Sequence, residues 1–410
     1  MGPQEKKVKL CVVSHLPFLG GAERSLLDLA RLLVQDHDVD CTVVVPGDGP
    51  LIPRLEAAGA RVIRTEYQWW CAAEEVSKAE ARSRLSESFS RLRKEILPVV
   101  KDLDVDVICT QTIVIPYGAW AAAELGKPHI WNLREYGEAG GLRFFFPFDD
   151  ILSFIAESSD FIFGANRTMC TELMPDLRPD DHDVLYPAIE IPSDLRVKGD
   201  SLPFRGSGFR LGEFASIIPH KELETAIEAV AELRRRGRSV ELLLAGEQDP
   251  GYVRHIEALN ASLGVQDHVY LEGFMEDVFP AIAAVDAVVI SAKVHSLGRT
   301  AVEGMLLGKP VVYPLGTGFD DYMEDGITGL GYAARDPQAM ADQIDLLIEN
   351  PGFGAELGAR AQAAARKFFT RKGFSDKFYS KALELSRHQR SNASSKGRFV
   401  TEFLAAALAE

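Results

Sequence analysis

Long apolar runs are missing from this chain. No stretch of its 410 residues approaches the roughly 18 apolar residues that a membrane-spanning helix needs. The opening segment MGPQEKKVKL carries three lysines but no apolar core, so it lacks the pattern of a signal peptide. We therefore expect a cytoplasmic protein without a transmembrane helix. Peripheral contact with the inner face of a membrane stays an open alternative.

Cysteine is also scarce. The chain has five cysteines, an odd number, and no two of them form a C-x-x-C pair. This usage argues against the disulfide framework that holds small secreted domains together. We expect all five thiols to be reduced.

Positive charge is the third shortage. Lysine and arginine number 45 against 60 aspartates and glutamates, which gives a net charge of −15. A general nucleic-acid binder needs a basic surface, so we expect no nucleic-acid partner. What is present is an ordinary globular composition, with 46% hydrophobic and 26% charged residues, which excludes a largely disordered chain.

Strand-like and helix-like segments alternate along most of the chain. Short apolar runs such as VKLCVV and VELLLA are typical of buried parallel strands, and amphipathic segments with helical spacing follow them. The alternation predicts an α/β fold with doubly wound parallel sheets. A polar segment with prolines and glycines interrupts it. We expect an N-terminal domain at 1–192, a linker at 193–208, a C-terminal domain at 209–365, and C-terminal helices at 366–410 that cross back to the N-terminal domain.

The loop PFLGGAER, residues 17–24, joins the first predicted strand to the first predicted helix. Gly20 and Gly21 allow close backbone approach to a ligand, and the helix N terminus behind them favours negative charge. The loop indicates either a phosphate cradle or only a tight turn. The dinucleotide pattern G-x-G-x-x-G is absent.

The segment SAKVHSLGRTAVEGMLLGKPVVYP, residues 291–314, carries a stronger signal. A buried strand leads into a polar loop, and a helix begins near Arg299. We expect free N–H groups at Gly298–Thr300 to point towards a ligand at the carboxyl edge of the sheet. Glu303, on the first turns of that helix, can accept both hydroxyls of a ribose. The alternative is an ordinary helix start with a surface glutamate.

Two further features suggest ligand contact. Lys221 precedes an amphipathic helix, where the helix dipole disfavours a lysine, so we expect it to meet a diphosphate rather than only solvent. The loop LGTGFDDYMEDGITG, residues 315–329, has four glycines and follows a predicted strand. It indicates either a close approach to a ligand or a plain surface loop.

Taken together and in order, these segments resemble the retaining glycosyltransferases of family 4, also called glycosyl transferases group 1. The resemblance covers roughly residues 8–385, and its most specific stretch is Val269–Gly329, with GF-x-x-D-V, HSLGRTAVEGM-x-x-GKPVV and DG-x-TG. It implies the GT-B fold, with two Rossmann-like domains facing a cleft. It also implies transfer of a hexosyl or deoxyhexosyl unit from a nucleotide-sugar to a glycan, lipid-linked or small-molecule acceptor in polysaccharide or glycoconjugate synthesis. Such enzymes usually need no metal or other cofactor.

The resemblance also implies roles for single residues. Glu303 matches a ribose-binding glutamate, and Lys221 matches a lysine that binds the diphosphate. The nucleotide base is expected near Phe274 and Met275. The remaining donor contacts are expected at Gly20, Gly21, Ser216, His295, Gly298, Arg299, Thr300, Gly318, Asp320 and Asp321. The catalytic candidates are Lys221, His295, Arg134 and Glu135.

Four positions depart from the family pattern. His295 stands where a first glutamate is usual, and Ser216 stands where an arginine is usual. Asp320 or Asp321 replaces a glutamate, and Asn132 or Arg134 replaces a histidine. Losing an arginine removes a bidentate phosphate contact of about 1.5–3 kcal/mol. These departures indicate either an unusual donor or acceptor, or a reduced activity.

The acceptor is the least determined partner. His15, Tyr67, Trp69 and Trp70 are acceptor candidates. The three aromatic residues form a cluster that looks exposed and suits sugar stacking, but a core or lid role is at least as well supported. The run LRFFFPF, residues 142–148, is either a membrane-surface or lid element or a buried loop. Two further hypotheses stay open: a non-catalytic nucleotide-binding or scaffold protein, and a sugar-nucleotide 2-epimerase. The sequence names neither the nucleotide nor the oligomeric state.

Overall fold

The computed structural model describes residues 7–72, 75–140, 142–196, 202–293, 297–387 and 398–405. The chain forms two compact units, Met1–Ala188 with Thr370–Glu410, and Ile189–Phe369. Near the end of the segment predicted as a linker, the backbone N–H groups of Arg205 and Gly206 donate hydrogen bonds to Glu241 Oε1 at 2.9 and 3.1 Å within unit 2.

Unit 1 is built on a seven-stranded parallel sheet in the order β3-β2-β1-β5-β6-β8-β9. The chain winds outward from β1 in one direction and then from β5 in the other, so the carboxyl ends of these neighbouring strands form the point where ligands bind in open α/β sheets. The strands are β1 (Lys9–Val13), β2 (Asp40–Pro46), β3 (Arg61–Thr65), β5 (Val107–Gln111), β6 (His129–Asn132), β8 (Phe161–Gly164) and β9 (His182–Val184).

Helices cover both faces of this sheet, because the strands are apolar on both sides. Leu26, Leu29 and Leu33 of α1 are buried against β1 and β2, as their helical spacing predicts. A separate two-stranded antiparallel pair joins β4 (Cys71–Ala72) to β7 (Arg143–Phe144). The helices of this part are α1 (Gly21–His37), α2 (Leu51–Ala57), α3 (Lys78–Glu95), α4 (Leu97–Asp102), α5 (Tyr117–Leu125), α6 (Phe148–Ser158) and α7 (Arg167–Leu173).

Unit 2 repeats the plan with a six-stranded parallel sheet in the order β12-β11-β10-β13-β14-β15. Its winding reverses between β10 and β13. The strands are β10 (Phe209–Phe214), β11 (Val240–Ala245), β12 (Val269–Glu272), β13 (Ala287–Val289), β14 (Val311–Pro314) and β15 (Leu330–Tyr332). The helices are α8 (Glu224–Arg235), α9 (Pro250–Leu263), α10 (Phe279–Ala284), α11 (Arg299–Leu306), α12 (Pro337–Glu349) and α13 (Pro351–Phe368).

The helix that follows α13 belongs to unit 1. In α14 (Arg371–Arg387), Phe374 and Phe378 are fully buried in the core formed with α1 and β8. Arg371 pairs with Asp36, and His37 stacks on Tyr379 with ring centroids 4.3 Å apart. The helical segment 398–405 also packs, since Phe403 lies 4.8 Å from Phe154 between ring centroids.

All five cysteines are free and buried, as the sequence predicts. Burial raises the pKa of the Cys11 and Cys41 thiols to about 12, so they stay protonated and behave as small apolar side chains. Among the described residues, no helix combines the length and apolarity needed to cross a membrane.

Candidate functional site

The carboxyl ends of β10 and β13 hold a buried polar pair. Glu213, near the end of β10, is 2% exposed, and it accepts hydrogen bonds from Ser291 N at 2.8 Å and Ser291 Oγ at 2.7 Å. Burial raises the pKa of the Glu213 carboxyl to about 7 against the opposing effect of these bonds. Glu213 therefore fixes the backbone and the side chain of Ser291, two residues beyond β13.

Lys221 lies beside this pair, at the end of the one-turn 3-10 helix Pro219–Lys221. Its side chain is half-buried, and its ammonium makes no hydrogen bond or ion pair with any described residue. Burial lowers the pKa of the Lys221 ammonium, and the charge of Glu213 opposes that shift. An ammonium in this position is available to an anionic ligand.

The N terminus of α11 is shaped by Gly298, which has φ +65° and ψ +65°. A Cβ at this position would overlap the ring of Phe319, so the turn requires glycine for both backbone and space. The backbone N–H groups of Gly298 and Thr300 donate no hydrogen bond within the described part of the chain. These free donors at a helix N terminus suit a phosphate oxygen.

Glu303 lies one turn into α11 and is 5% exposed. Its Oε1 accepts a hydrogen bond from Arg299 Nε at 3.0 Å. Glu303 is the residue predicted to bind ribose, and its pairing with Arg299 holds the carboxylate on the side of the helix start.

In the glycine-rich loop after β14, backbone N–H groups donate hydrogen bonds to Asp320 of the same loop. Asp320 Oδ2 accepts hydrogen bonds from Gly316 N at 2.8 Å and Thr317 N at 3.1 Å, which caps the turn Gly318–Asp321. This geometry makes Asp320 a loop-shaping residue as well as a predicted donor contact. Asp321 next to it is half-buried.

The other predicted donor contacts of unit 2 are spread around the same edge. Phe274 is 50% exposed in the loop after β12, and Met275 is half-buried. Ser216 is half-buried, and Gly246 packs directly against the Ala215–Ser216 backbone, where a Cβ would lie 2.9 Å from Ser216 N. His295 falls outside the described residues.

The matching edge of unit 1 holds a second charged cluster. His15 Nδ1 lies 2.9 Å from Glu23 Oε1, and the two side chains are 6% and 2% exposed. Burial lowers the pKa of His15, but the hydrogen bond and charge of Glu23 and the charge of Glu135 outweigh it and raise the pKa above the ordinary value of 6.5. Glu135 Oε2 accepts a hydrogen bond from Ile113 N at 3.2 Å, and burial raises the pKa of Glu135.

The predicted phosphate loop at Gly20 and Gly21 lies against this cluster. A Cβ at Gly20 would come within 2.6 Å of Glu23 Oε2, whereas Gly21 has open space around it. The Glu23 carboxylate thus occupies the neighbourhood of the α1 N terminus. An anion bound there would meet that negative charge, which protonated His15 compensates.

Arg134 is 8% exposed, and its Nη1 donates a hydrogen bond to the Leu185 carbonyl at 3.1 Å. The neighbouring Asn132 donates to Gln111 Oε1 at 2.7 Å. Asn132 therefore joins the carboxyl ends of β6 and β5, and Arg134 joins the segment after β6 to the residue that follows β9.

The expectation of an exposed aromatic cluster is wrong for two of its three members. Trp70 is fully buried, stacks on Trp131, and donates a hydrogen bond to the Ile113 carbonyl at 2.7 Å. Tyr67 is 5% exposed, and its hydroxyl donates to backbone carbonyls of β2 and the β1 end. Trp69 is half-buried, with its indole N–H bound to the His15 carbonyl at 3.0 Å. Each ring satisfies its polar atom inside the fold, which is why the cluster can be buried.

Three polar residues of these edges were missed by sequence reasoning: Glu213, Ser291 and Glu23. A signal existed for Glu213, because a carboxylate inside the strand-like run FRLGEF is unusual for a buried strand and needs a partner. No group of three metal-ligating side chains occurs in the ranges that the structure describes.

Two segments of the chain match known protein families. Residues 20–182 match the family described as "Glycosyl transferase 4-like domain", and residues 209–350 match "Glycosyl transferases group 1". The first match lies within unit 1 and the second within unit 2.

Curated relatives share shorter segments. The chain is 33% identical over 138 residues to alpha-D-kanosaminyltransferase of Streptomyces kanamyceticus, covering 33% of this chain and 35% of that protein. It is 29% identical over 206 residues to D-inositol 3-phosphate glycosyltransferase of Frankia alni, covering 47% of this chain and 51% of that protein. The chain thus spans about a third to a half of the length of these relatives.

Solved structures match over nearly the whole chain. Anabaena Alr3699/HepE in complex with UDP-glucose superposes with a TM-score of 0.76 at 21% identity, covering 92% of this chain and 99% of that chain. WaaG, a glycosyltransferase involved in lipopolysaccharide biosynthesis, gives a TM-score of 0.65 at 16% identity, covering 93% and 99%. These likenesses establish the fold.

Proposed function

The chain belongs to the group 1 glycosyltransferases of family 4 and has their GT-B fold, and from this premise we propose that it transfers a sugar from a nucleotide-sugar donor to an acceptor. The donor binds at the β10–β13 edge of unit 2. The acceptor, a saccharide, glycolipid or small molecule, contacts unit 1. The reaction serves polysaccharide or glycoconjugate synthesis.

One observation carries the proposal most strongly. At the β10–β13 edge, the Lys221 ammonium and the N–H groups of Gly298 and Thr300 have no hydrogen-bond partner within the described ranges. Unsatisfied donors and a positive charge at a helix N terminus are the arrangement that binds a diphosphate. HepE, which shares the fold, has been crystallised with UDP-glucose, so UDP is the first nucleotide to test.

In the proposed mechanism, negative charge builds on the diphosphate as its bond to the sugar breaks. Lys221, Arg299 and the start of α11 stabilise this leaving group. Glu303 accepts the ribose hydroxyls and sets the position of the nucleotide. The acceptor attacks the same face of the sugar and passes its proton to the leaving phosphate, which retains the anomeric configuration. His15, Arg134 and Glu135 orient the acceptor from unit 1.

We further propose that this chemistry needs no metal, because a lysine and a helix N terminus supply the charge that a cation would otherwise supply. The proposed site of action is the cytoplasm, at the inner face of a membrane when the acceptor is lipid-linked.

A thermal-shift panel tests the nucleotide site. The protein is heated with UDP, GDP, dTDP or ADP, each with and without EDTA. We expect one nucleotide to raise Tm, since a ligand at 100 times its Kd adds about 2.7 kcal/mol to the folded state. The shift should survive EDTA and be lost in Glu303→Ala.

The matching nucleotide-sugar then tests turnover. Release of the nucleoside diphosphate, by transfer or by slow hydrolysis, is the expected result. Nucleotide binding without any turnover would favour a non-catalytic role, and absence of binding by all four nucleotides would contradict the proposal.

A further inference from the structure

The Glu213–Ser291 pair lies where the winding of the unit 2 sheet reverses. Ser291 is fully buried and lies two residues beyond β13, between that strand and the start of α11. Tyr332 holds the same backbone from the other side, donating hydrogen bonds to the Ile290 carbonyl at 2.8 Å and the Ser291 carbonyl at 3.2 Å. The backbone at Ile290 and Ser291 is therefore held from β10 and from β15.

The charge of the Glu213 carboxyl also affects the titratable groups around it. Within the part of the chain that the structure describes, the titratable groups whose electrostatic interactions reach it are Lys221, Glu224, Tyr252 and Tyr332. Lys221 is the only cation among them. Burial brings the pKa of the Glu213 carboxyl to about 7, so it changes charge near neutral pH. When ionised it offsets the positive charge of Lys221, and when protonated it leaves that charge uncompensated.

We propose that Glu213 is a positioning residue of the donor site, which holds Ser291 between β13 and α11 and sets the net charge that a nucleoside diphosphate meets at Lys221. This inference rests on the proposed function of the same edge. It assigns roles to two residues that contact no ligand directly and act through the segment between β13 and α11 and through Lys221.

A consequence in pH follows from the charges. As pH rises through about 7, Glu213 ionises, and its negative charge opposes an incoming diphosphate. Nucleotide affinity should therefore fall with rising pH. In Glu213→Gln the side chain stays neutral and can still accept the bond from Ser291 N, so this part of the pH dependence should vanish. Titration of the nucleotide itself is the same for both proteins and cancels in the comparison.

The test is titration calorimetry of the full-length protein with UDP, or with whichever nucleotide the thermal-shift panel selects, from pH 6 to 8.5. We expect the wild-type affinity to fall about three- to tenfold relative to that of Glu213→Gln across this range. Ser291→Ala removes a hydrogen bond that favours ionised Glu213. Its pH midpoint should therefore move upward. At pH 6, where Glu213 is mostly protonated in both proteins, its affinity should be about fivefold weaker than that of the wild type, because Ser291 has lost a hydrogen bond that holds it.

Glu241→Gln is the matched control. Glu241 is 3% exposed in the neighbouring strand β11, and it bonds Arg205, Gly206 and Tyr270 near the opposite end of the sheet. Its replacement should lower Tm without changing nucleotide affinity or its pH profile. Circular dichroism checks that each variant is folded. If Glu213→Gln does not fold, Ser291→Ala provides the test.

The outcomes separate the two proposals. A wild type that binds nucleotide while Glu213→Gln and Ser291→Ala keep its affinity and pH midpoint overturns the positioning role and leaves the donor site in place. A wild type that binds no nucleotide overturns the proposed function, and the inference falls with it.

Discussion

The two units place the same structural feature, the winding reversal of a parallel sheet, in two different electrostatic states. In unit 1 the charged groups pair with one another, as His15 does with Glu23 at 2.9 Å, or with backbone, as Glu135 does with Ile113 N. In unit 2 the Lys221 ammonium and two N–H groups at the start of α11 lack partners within the described residues. The fold supplies two candidate edges, and the pairing of charges distinguishes them.

This difference between the two units indicates which of them should bind the anion. An edge whose charges are already paired gains little from a diphosphate, whereas a cation without a hydrogen-bonded partner, next to free amides, gains a charge-assisted contact. Glu23, close to the N terminus of α1, adds a negative charge that unit 2 avoids by directing Glu303 to Arg299.

Lys221→Ala has the largest expected effect on the donor site of unit 2. Removing a donor aimed at developing charge costs about 10²–10³-fold in rate, so we expect kcat/KM for the donor to fall by that much. Lys367→Ala, which removes an exposed lysine of α13, is the control and should leave turnover unchanged. A loss below threefold in Lys221→Ala would remove Lys221 from the site.

Gly298→Ala tests the shape of the same edge. The new Cβ meets both a left-handed backbone and the Phe319 ring. Gly264→Ala, at φ +69° with open space around it, carries the backbone strain alone. We expect Gly298→Ala to lower the free energy of unfolding by about 1–3 kcal/mol more than Gly264→Ala, measured by urea denaturation, and to weaken nucleotide binding as well. Equal costs would show that the loop yields without strain.

Glu303→Ala tests whether Glu303 binds the ribose of the nucleotide. Hydrogen bonds to a charged group contribute about 1.5–3 kcal/mol, so we expect nucleotide affinity to fall about 10- to 100-fold. The variant should also lose its preference for a ribonucleotide over the 2′,3′-dideoxy analogue, measured by calorimetry. An intact preference would place the ribose elsewhere.

Glu23→Gln tests the His15–Glu23 pair of unit 1. Its expected effect on nucleotide binding is smaller than that of the variants above. The raised pKa of His15 means that its pairing stabilises the fold fully below pH 6.5, and that this contribution is lost as pH rises through the folded-state pKa. We expect a cost of about 1–3 kcal/mol at pH 6 and little at pH 9, by urea denaturation at both pH values. Nucleotide affinity should stay within twofold of the wild type, and a large loss would contradict the assignment of the diphosphate to unit 2.

Most of the strands and most of the site's backbone were predictable, because they depend on local pattern. The run VELLLA predicts β11 to the residue, and the glycine before Arg299 predicts the start of α11. Such features follow from apolar runs and from the backbone freedom of glycine, which are visible in a single sequence.

Pairings between distant segments were not predictable in the same way. Glu213 meets Ser291 across 78 positions, and Trp70 reaches the Ile113 carbonyl across 43. The sequence marks such residues as polar or aromatic but does not show which partner allows them to be buried. This is why Tyr67 and Trp70 look exposed from the sequence and lie in the core.

Hydrogen–deuterium exchange with and without the selected nucleotide tests the central claim, that the diphosphate is held in unit 2, most directly. We predict that the nucleotide strongly slows exchange in peptides that contain Lys221 and Gly298–Glu303. Exchange in the peptide that contains Gly20 and Gly21 should slow less or not at all. Protection concentrated around Gly20 and His15, with exchange at Lys221 and α11 unchanged, would contradict it.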